Sequence, residues 1–139
     1  MIEIISKEYL REEDEIKTCL SDIVNNYNRF IKYIKINIIT DEELVKINKE
    51  FLQKNYLTDI ITFNYSEGNE AIEGDVYISR ERIVENAKEV GVEWVVELYR
   101  IMIHGVLHLC GEDDFTLEER ERMTSLENRY LARMVSRET

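Results

Sequence analysis

The sequence predicts an α+β fold: a small mixed sheet of four strands, one of them antiparallel, packed by about five helices. Two observations carry this prediction. Short β-branched runs alternate with segments in which apolar residues recur at helical spacing. One later segment, 93–110, is apolar around nearly its whole circumference, which is typical of a helix buried at the centre of a domain.

The first half is expected to form a strand, a helix, a second strand and a second helix. The run Ile2 to Ile5 is β-branched, residues 12 to 27 carry apolar side chains at helical spacing, and 34–39 alternates like a strand. Thr40 and Glu43 form a capping box that opens the second helix. The apolar face of that helix is expected at Leu44, Ile47, Phe51 and Leu52. A helix between two strands makes a right-handed parallel crossover the default connection.

The second half begins with a predicted antiparallel hairpin. Strand-like runs at 58–65 and 73–79 flank the glycine-containing turn 66–69. A helix over 80–90 should follow and end at Gly91, because glycine readily adopts the left-handed backbone of a helix end. The remaining helices are expected at 93–110 and 116–136.

Composition predicts one globular domain, residues 1–139, in the cytoplasm. The chain is 44% hydrophobic and carries a formal charge of −11, which disfavours passive binding to nucleic acid or anionic membranes. No apolar run approaches the roughly 20 residues of a membrane helix, and the first residues do not resemble a signal peptide. Two cysteines, Cys19 and Cys110, do not make a disulfide framework. We therefore expect no membrane partner.

One stretch departs from the acidic average. No acidic residue occurs between Asp22 and Asp41, and basic and aromatic side chains alternate there. The members are Tyr27, Arg29, Phe30, Lys32, Tyr33 and Lys35, with Lys46, Lys49 and Lys54 further on. Two interpretations are open: an ordinary helix end and strand with solvated lysines, or a local surface that binds phosphates and stacks bases.

The only two histidines, His104 and His108, predict a metal site. Residues four apart on a helix lie on one face, so both imidazoles can bind one ion. Gly111 then permits a sharp turn that returns a carboxylate as the third ligand. Asp114 has the expected spacing for that ligand, while Asp113 and Glu112 are alternatives. Cys110 is another possible ligand but is expected in the core.

Two imidazoles, one carboxylate and an open position suit one catalytic zinc ion per chain. The spacing is close to that of zinc peptidases, in which a glutamate that acts as general base follows the first histidine. Here Gly105 occupies that position, so peptidase chemistry lacks its base.

Three motifs in this chain resemble the YbeY endoribonucleases, bacterial factors in ribosomal RNA maturation. The family motif His-Gly-x-Leu-His-Leu-x-Gly-x-Asp-His matches residues 104–114, His-Gly-Val-Leu-His-Leu-Cys-Gly-Glu-Asp-Asp. An Asn-x-x-Tyr-Arg stretch followed by Pro-Thr-Asp-Val-Leu-Ser-Phe is similar to 48–52 and 57–63, and Gly-Asp-Ile-x-Ile-Ser is similar to 74–79. The resemblance covers almost the whole chain.

The resemblance implies a zinc-dependent endoribonuclease of single-stranded RNA in ribosomal RNA maturation and ribosome quality control. Ribosomal RNA and the small ribosomal subunit are the implied partners, and no DNA is expected. His104, His108 and Asp114 are the implied metal ligands, and Asp59 and Asp113 are candidate catalytic residues. Asp59 and Asp75 could orient an imidazole.

Two residues depart from the family pattern. Asp114 replaces the third histidine, which lowers the net charge of a zinc-loaded site from +2 to +1. Leu52 replaces an arginine that could contact phosphate. These departures keep open a non-catalytic ribosome-assembly factor with a structural metal, and a metallopeptidase with a base supplied from elsewhere is a third alternative.

Overall fold

The computed structural model describes residues 1–51 and 58–136, and within them the chain forms four strands and five helices. The order of elements follows the sequence prediction closely. The strands are β1 (Ile2–Ile5), β2 (Phe30–Ile39), β3 (Ile60–Asn64) and β4 (Ala71–Ser79). The helices are α1 (Glu13–Asn26), α2 (Asp41–Phe51), α3 (Arg80–Val90), α4 (Trp94–Leu109) and α5 (Leu117–Ser136).

The four strands form one mixed sheet in the order β1-β2-β4-β3. β2 runs parallel to both β1 and β4, and β3 pairs antiparallel with β4 as the two arms of a hairpin. The predicted α+β fold, with one antiparallel strand in a mixed sheet, is therefore confirmed.

β2 begins at Phe30, four residues before its predicted start. Phe30 pairs with Ala71 of β4, and a bulge lies between Ile31 and Tyr33. A bulge adds a residue to one strand and so breaks the alternation of inward and outward side chains. The early part of β2 therefore lacks the period-two pattern by which a strand is recognised.

α2 departs from its predicted apolar face. Leu44 is buried, but Phe51 is 62% exposed and packs edge-on against Phe63 at a centroid distance of 5.9 Å. Asn48 is buried on the same helix. Leu52 and Lys54, which the sequence analysis singled out, lie outside the described residues.

α4 is the central helix, as its apolar circumference predicts. It contacts α1, α3 and α5 as well as β3 and β4. Its buried residues are Leu98, Tyr99, Ile101, Met102, Ile103, Gly105, Val106, Leu107 and Leu109. Although α4 is apolar, none of the helices in residues 1–51 and 58–136 is long and apolar enough to cross a membrane.

Candidate metal centre

His104 and His108 lie one turn apart on α4, at the face where this helix meets α5 and the loop that follows. Both side chains are partly buried, 17% and 22% exposed. Their ring centroids are 4.5 Å apart, and the two Nε2 atoms approach to 3.0 Å. The helical spacing therefore brings two nitrogen donors to one point.

Gly105 fixes how closely α4 approaches the sheet. A Cβ atom at this position would lie 3.0 Å from Ile60 Cδ1 and 3.3 Å from Val76 Cγ1. A glycine inside a helix costs about 1 kcal/mol relative to alanine, and close packing on the sheet accounts for it here. Because Gly105 faces the sheet, this position is used for packing and does not face the histidine site.

Asp114 reaches the two histidines through the turn at Gly111. The backbone of Gly111 has a φ of 104°, in the left-handed region that favours glycine. Beyond this turn, Asp114 Oδ2 lies 3.6 Å from His104 Nε2 and 3.5 Å from His108 Nε2. The ligand atoms of His104, His108 and Asp114 all lie within 4.8 Å of one another.

A hydrogen bond to the other ring nitrogen fixes the tautomer of each histidine. His104 Nδ1 donates to Glu127 Oε2 at 2.6 Å, and His108 Nδ1 donates to the backbone carbonyl of Glu112 at 2.8 Å. A carbonyl and an ionised carboxylate only accept, so each Nδ1 carries a proton. In the neutral rings, both Nε2 lone pairs then face each other and Asp114, which is the arrangement that metal-binding histidines show.

These three atoms fit a metal ion in both chemistry and spacing. Two imidazole lone pairs and a carboxylate oxygen repel one another unless a cation lies between them. For zinc, ligand distances of about 2.0–2.2 Å in a tetrahedron place neighbouring ligand atoms roughly 3.3 Å apart. The observed separations of 3.0, 3.5 and 3.6 Å are close to that value.

The acidic surroundings favour a positive charge at the site. Burial opposes protonation of His104, but its hydrogen bond with Glu127 and the charges of Glu127, Asp114 and Asp59 outweigh burial and raise its pKa. The same carboxylates that stabilise a protonated imidazole would also stabilise a bound cation.

Glu112 and Asp113 do not join the three-residue group. The Glu112 carboxylate accepts hydrogen bonds from Arg122 Nε at 2.9 Å, from Arg122 Nη2 at 3.0 Å and from the Tyr27 hydroxyl at 2.5 Å. The Arg122 hydrogen bond, more than that of Tyr27, lowers the pKa of Glu112 despite its partial burial. Asp113 is exposed. Among the described residues it is Asp114 that meets both histidines.

Glu127 is a residue of the site that the sequence analysis missed. It is only 8% exposed and also pairs with Arg100 at 3.3 Å. The sequence carried a signal for this residue, since Glu127 is a charged residue among the buried apolar residues of α5. These are Met123, Leu126, Tyr130, Leu131 and Met134. A carboxylate at a buried position needs a partner, and here the partners are His104 and Arg100.

The expectation that Asp59 and Asp75 orient an imidazole is wrong, because Glu127 and the Glu112 carbonyl take those roles. Asp59 accepts a hydrogen bond from Asn86 at 3.4 Å, and its charge contributes to the raised pKa of His104. Asp75 precedes Val76 on β4, and successive strand residues point to opposite faces. Since Val76 faces α4, Asp75 faces away from the histidines.

The basic-aromatic stretch is divided among several partners. Tyr27 donates to Glu112, Arg29 donates to the carbonyl of Gly68 at 3.5 Å, and Lys32 pairs with Glu73 at 3.5 Å. Lys35 lies between Glu3 and Asp75 in the register of the sheet. Acidic neighbours therefore accompany the lysines of β2.

Comparison with known proteins agrees with the architecture and the motif. The family model described as Endoribonuclease YbeY matches residues 2–135. Relatives named Endoribonuclease YbeY include one from Bacteroides thetaiotaomicron, 39% identical over 81% of this chain and 82% of its own length. Another, from Christiangramia forsetii, is 39% identical over 88% of this chain and 85% of its own.

A solved structure gives the same result for the fold. The solution structure of TM1509 from Thermotoga maritima superposes with a TM-score of 0.68 at 26% identity, covering 94% of this chain and 87% of that one. The family match, the identity to these relatives and the shared fold show that the chain belongs to the endoribonuclease YbeY family.

Proposed function

We propose that this protein is a zinc-dependent endoribonuclease that cuts single-stranded ribosomal RNA in ribosomal RNA maturation and ribosome quality control. The relatives are named endoribonucleases, which supports RNA as the substrate. The observation that carries the proposal is the convergence of two Nε2 atoms and one carboxylate oxygen at the end of α4.

His104, His108 and Asp114 are the proposed ligands of one zinc ion per chain. Two imidazoles and a carboxylate form a normal donor set for catalytic zinc, which keeps a further position for water or substrate. When bound, zinc acidifies a water molecule and neutralises charge on a phosphoryl oxygen. Glu127 and the Glu112 carbonyl hold the two rings so that both Nε2 atoms face the ion.

Asp59 is the better of the two candidate proton acceptors. It is partly buried, and its charge reaches His104, whereas Asp113 is exposed. A carboxylate that accepts a proton from the attacking water must lie within hydrogen-bond reach of it or act through one further water. We expect Asp59→Asn to lower kcat while the zinc content stays unchanged.

The proposal is tested by metal analysis and RNA cleavage on the same preparations. Wild-type protein should hold about one zinc per chain, and His108→Ala should lose both zinc and cleavage. Arg133→Ala is a matched control, because it changes a salt bridge of α5 with Asp22 outside the proposed centre. Cleavage that survives complete removal of metal would contradict the proposal.

The alternative of a non-catalytic assembly factor rests on the weaker positive charge that Asp114 gives the site. That alternative predicts no hydrolysis in clean preparations and unfolding upon chelation. The metallopeptidase alternative is disfavoured by Gly105, because this position packs on the sheet and has no room for a catalytic side chain.

A further inference from the structure

The loop between α4 and α5 carries Asp114, and two side chains, one from α5 and one from the residue that follows α1, hold this loop in place. Glu112 lies in the loop, and its carboxylate accepts two hydrogen bonds from Arg122 of α5. The same carboxylate accepts a hydrogen bond of 2.5 Å from Tyr27, which directly follows α1. Three separate parts of the chain therefore meet at one carboxylate.

Glu112 also contacts the metal centre through its backbone. Its carbonyl oxygen accepts the Nδ1 proton of His108 at 2.8 Å, and Asp114 follows only two residues later. A shift of Glu112 would therefore turn the His108 ring and move the Asp114 carboxylate together. The side chain of Asp113, between these two residues, is exposed.

We propose that Tyr27, Glu112 and Arg122 form a loop clamp that sets the orientation of His108 and the reach of Asp114, and so determines how tightly the site binds its metal. The proposal rests on the zinc role of His104, His108 and Asp114. It assigns Tyr27 and Arg122 as positioning residues, although neither contacts the three proposed ligands.

The geometry is that of a positioning device rather than of an ordinary surface ion pair. Arg122 is 63% exposed, and an exposed pair contributes only about 0.2–1 kcal/mol to folding. The Glu112 side chain, by contrast, is 15% exposed. Arg122 donates to both oxygens of this carboxylate in a bidentate pair, and Tyr27 donates to Oε2 as well. A bidentate pair fixes direction as well as distance.

The experiment measures metal affinity in single and double variants. Tyr27→Phe removes one hydroxyl and keeps the ring, and Arg122→Ala removes the bidentate partner. Zinc dissociation constants come from competition with a chromophoric chelator, and the visible spectrum of the cobalt-loaded protein reports ligand geometry. We expect zinc binding to weaken about 3–10-fold in each single variant and about 10–100-fold in the double variant, with an altered cobalt spectrum.

The control is Arg133→Ala, which breaks a 2.6 Å pair with Asp22 that joins the same two helices, α5 and α1. It should leave zinc affinity unchanged, and circular dichroism of the metal-free variants checks that each is folded. Unchanged affinity and cobalt spectra in the folded clamp variants would overturn the loop clamp, as would an equal loss in Arg133→Ala.

This test is separate from the test of RNA cleavage. A wild-type protein that binds no zinc would overturn the proposed metal centre itself. Wild-type zinc binding without RNA cleavage would contradict the proposed endoribonuclease and leave the loop clamp standing. Wild-type zinc binding that the clamp variants do not alter would overturn the loop clamp alone.

Discussion

Glu127 is a buried carboxylate that orients His104, one of the proposed metal ligands. Its hydrogen bond of 2.6 Å holds the Nδ1 proton of His104, so the Nε2 lone pair remains available. An ionised acceptor also increases the electron donation of the imidazole to a metal. The residue is therefore expected to affect metal binding and not only folding.

We predict that Glu127→Gln weakens zinc binding about 10–100-fold, because a neutral amide orients the ring less firmly and donates less charge. Chelator competition measures the loss. Asn128→Ala is the control, since Asn128 accepts a hydrogen bond from the same Arg100 without contacting His104. Equal zinc affinity in Glu127→Gln and wild type would contradict the role assigned to Glu127.

Asp114 supports a second prediction at this scale. Asp114→His should keep zinc and raise the net charge of the loaded site from +1 to +2, which strengthens attraction for RNA phosphates. RNA affinity measured at two salt concentrations should rise, with a steeper dependence on salt. Asp114→Ala should lose zinc; full zinc in that variant would show that another group completes the site.

The two histidines and their hydrogen-bond partners differ in how far sequence alone predicts them. The spacing of His104 and His108 predicts their convergence, because a helix turn is a fixed distance. The orienting roles of Glu127 and of the Glu112 carbonyl depend on how α5 and the loop return to α4. For Glu127 the sequence carries only an indirect signal, an acidic residue among apolar ones. A backbone carbonyl such as that of Glu112 leaves no signal in the sequence, so neither partner was predicted.

Among the helices and strands, the contact between α4 and the sheet determines the position of the two histidines. Gly105 brings the helix backbone against Ile60 and Val76. The distances leave no room for a methyl group unless the helix or these side chains shift.

We predict that Gly105→Ala destabilises the protein by up to about 2 kcal/mol, because an overpacking cost of about 1–3 kcal/mol exceeds the gain in helix propensity of about 1 kcal/mol. Urea denaturation measures the free energy of unfolding. Ala132→Gly on the exposed face of α5 reports the propensity effect alone. A stabilised Gly105→Ala would show that the interface has room to yield.

The predicted ends of helices and strands are correct where apolar residues recur at one regular spacing, and they are wrong where that spacing is interrupted. The helices α3, α4 and α5 lie within a residue or so of their predicted ranges. Capping residues mark ends of α3 and α5, and the long apolar run marks the extent of α4. β2 begins early because of its bulge, and β4 begins at Ala71 rather than Glu73 because pairing with β2 extends it. Pairing with a neighbouring strand is a tertiary effect that local sequence does not encode.

In the whole molecule, the candidate metal centre lies beside a large buried core. The buried cluster includes side chains from all five helices except α2, and from β2 and β4. Its largest fully buried members include Ile16, Leu20, Ile36, Ile78, Leu98 and Met102. Burial of each such side chain contributes about 1.5–3 kcal/mol, so folding has a source of stability other than the ion.

We therefore predict that chelation lowers the Tm but leaves a folded domain. Zinc at 100 times its dissociation constant stabilises the folded state by about 2.7 kcal/mol, equivalent to roughly 5–15 °C for a chain of this size. Circular dichroism during heating, with and without chelator, measures the shift. Complete unfolding at room temperature upon chelation would support the assembly factor with a structural metal instead.

The proposed ligands are divided between a helix and a loop, and this division decides which of them can be exchanged without repacking the core. The two histidines lie on α4, whose position the core enforces, so the distance between them is fixed by a buried element. The third proposed ligand, Asp114, lies beyond Gly111, in a loop that Arg122 holds through its hydrogen bonds to Glu112. A substitution there exchanges one donor for another without repacking the interior. An exchange between aspartate and histidine at position 114 is therefore expected to adjust the charge of the proposed centre independently of the fold.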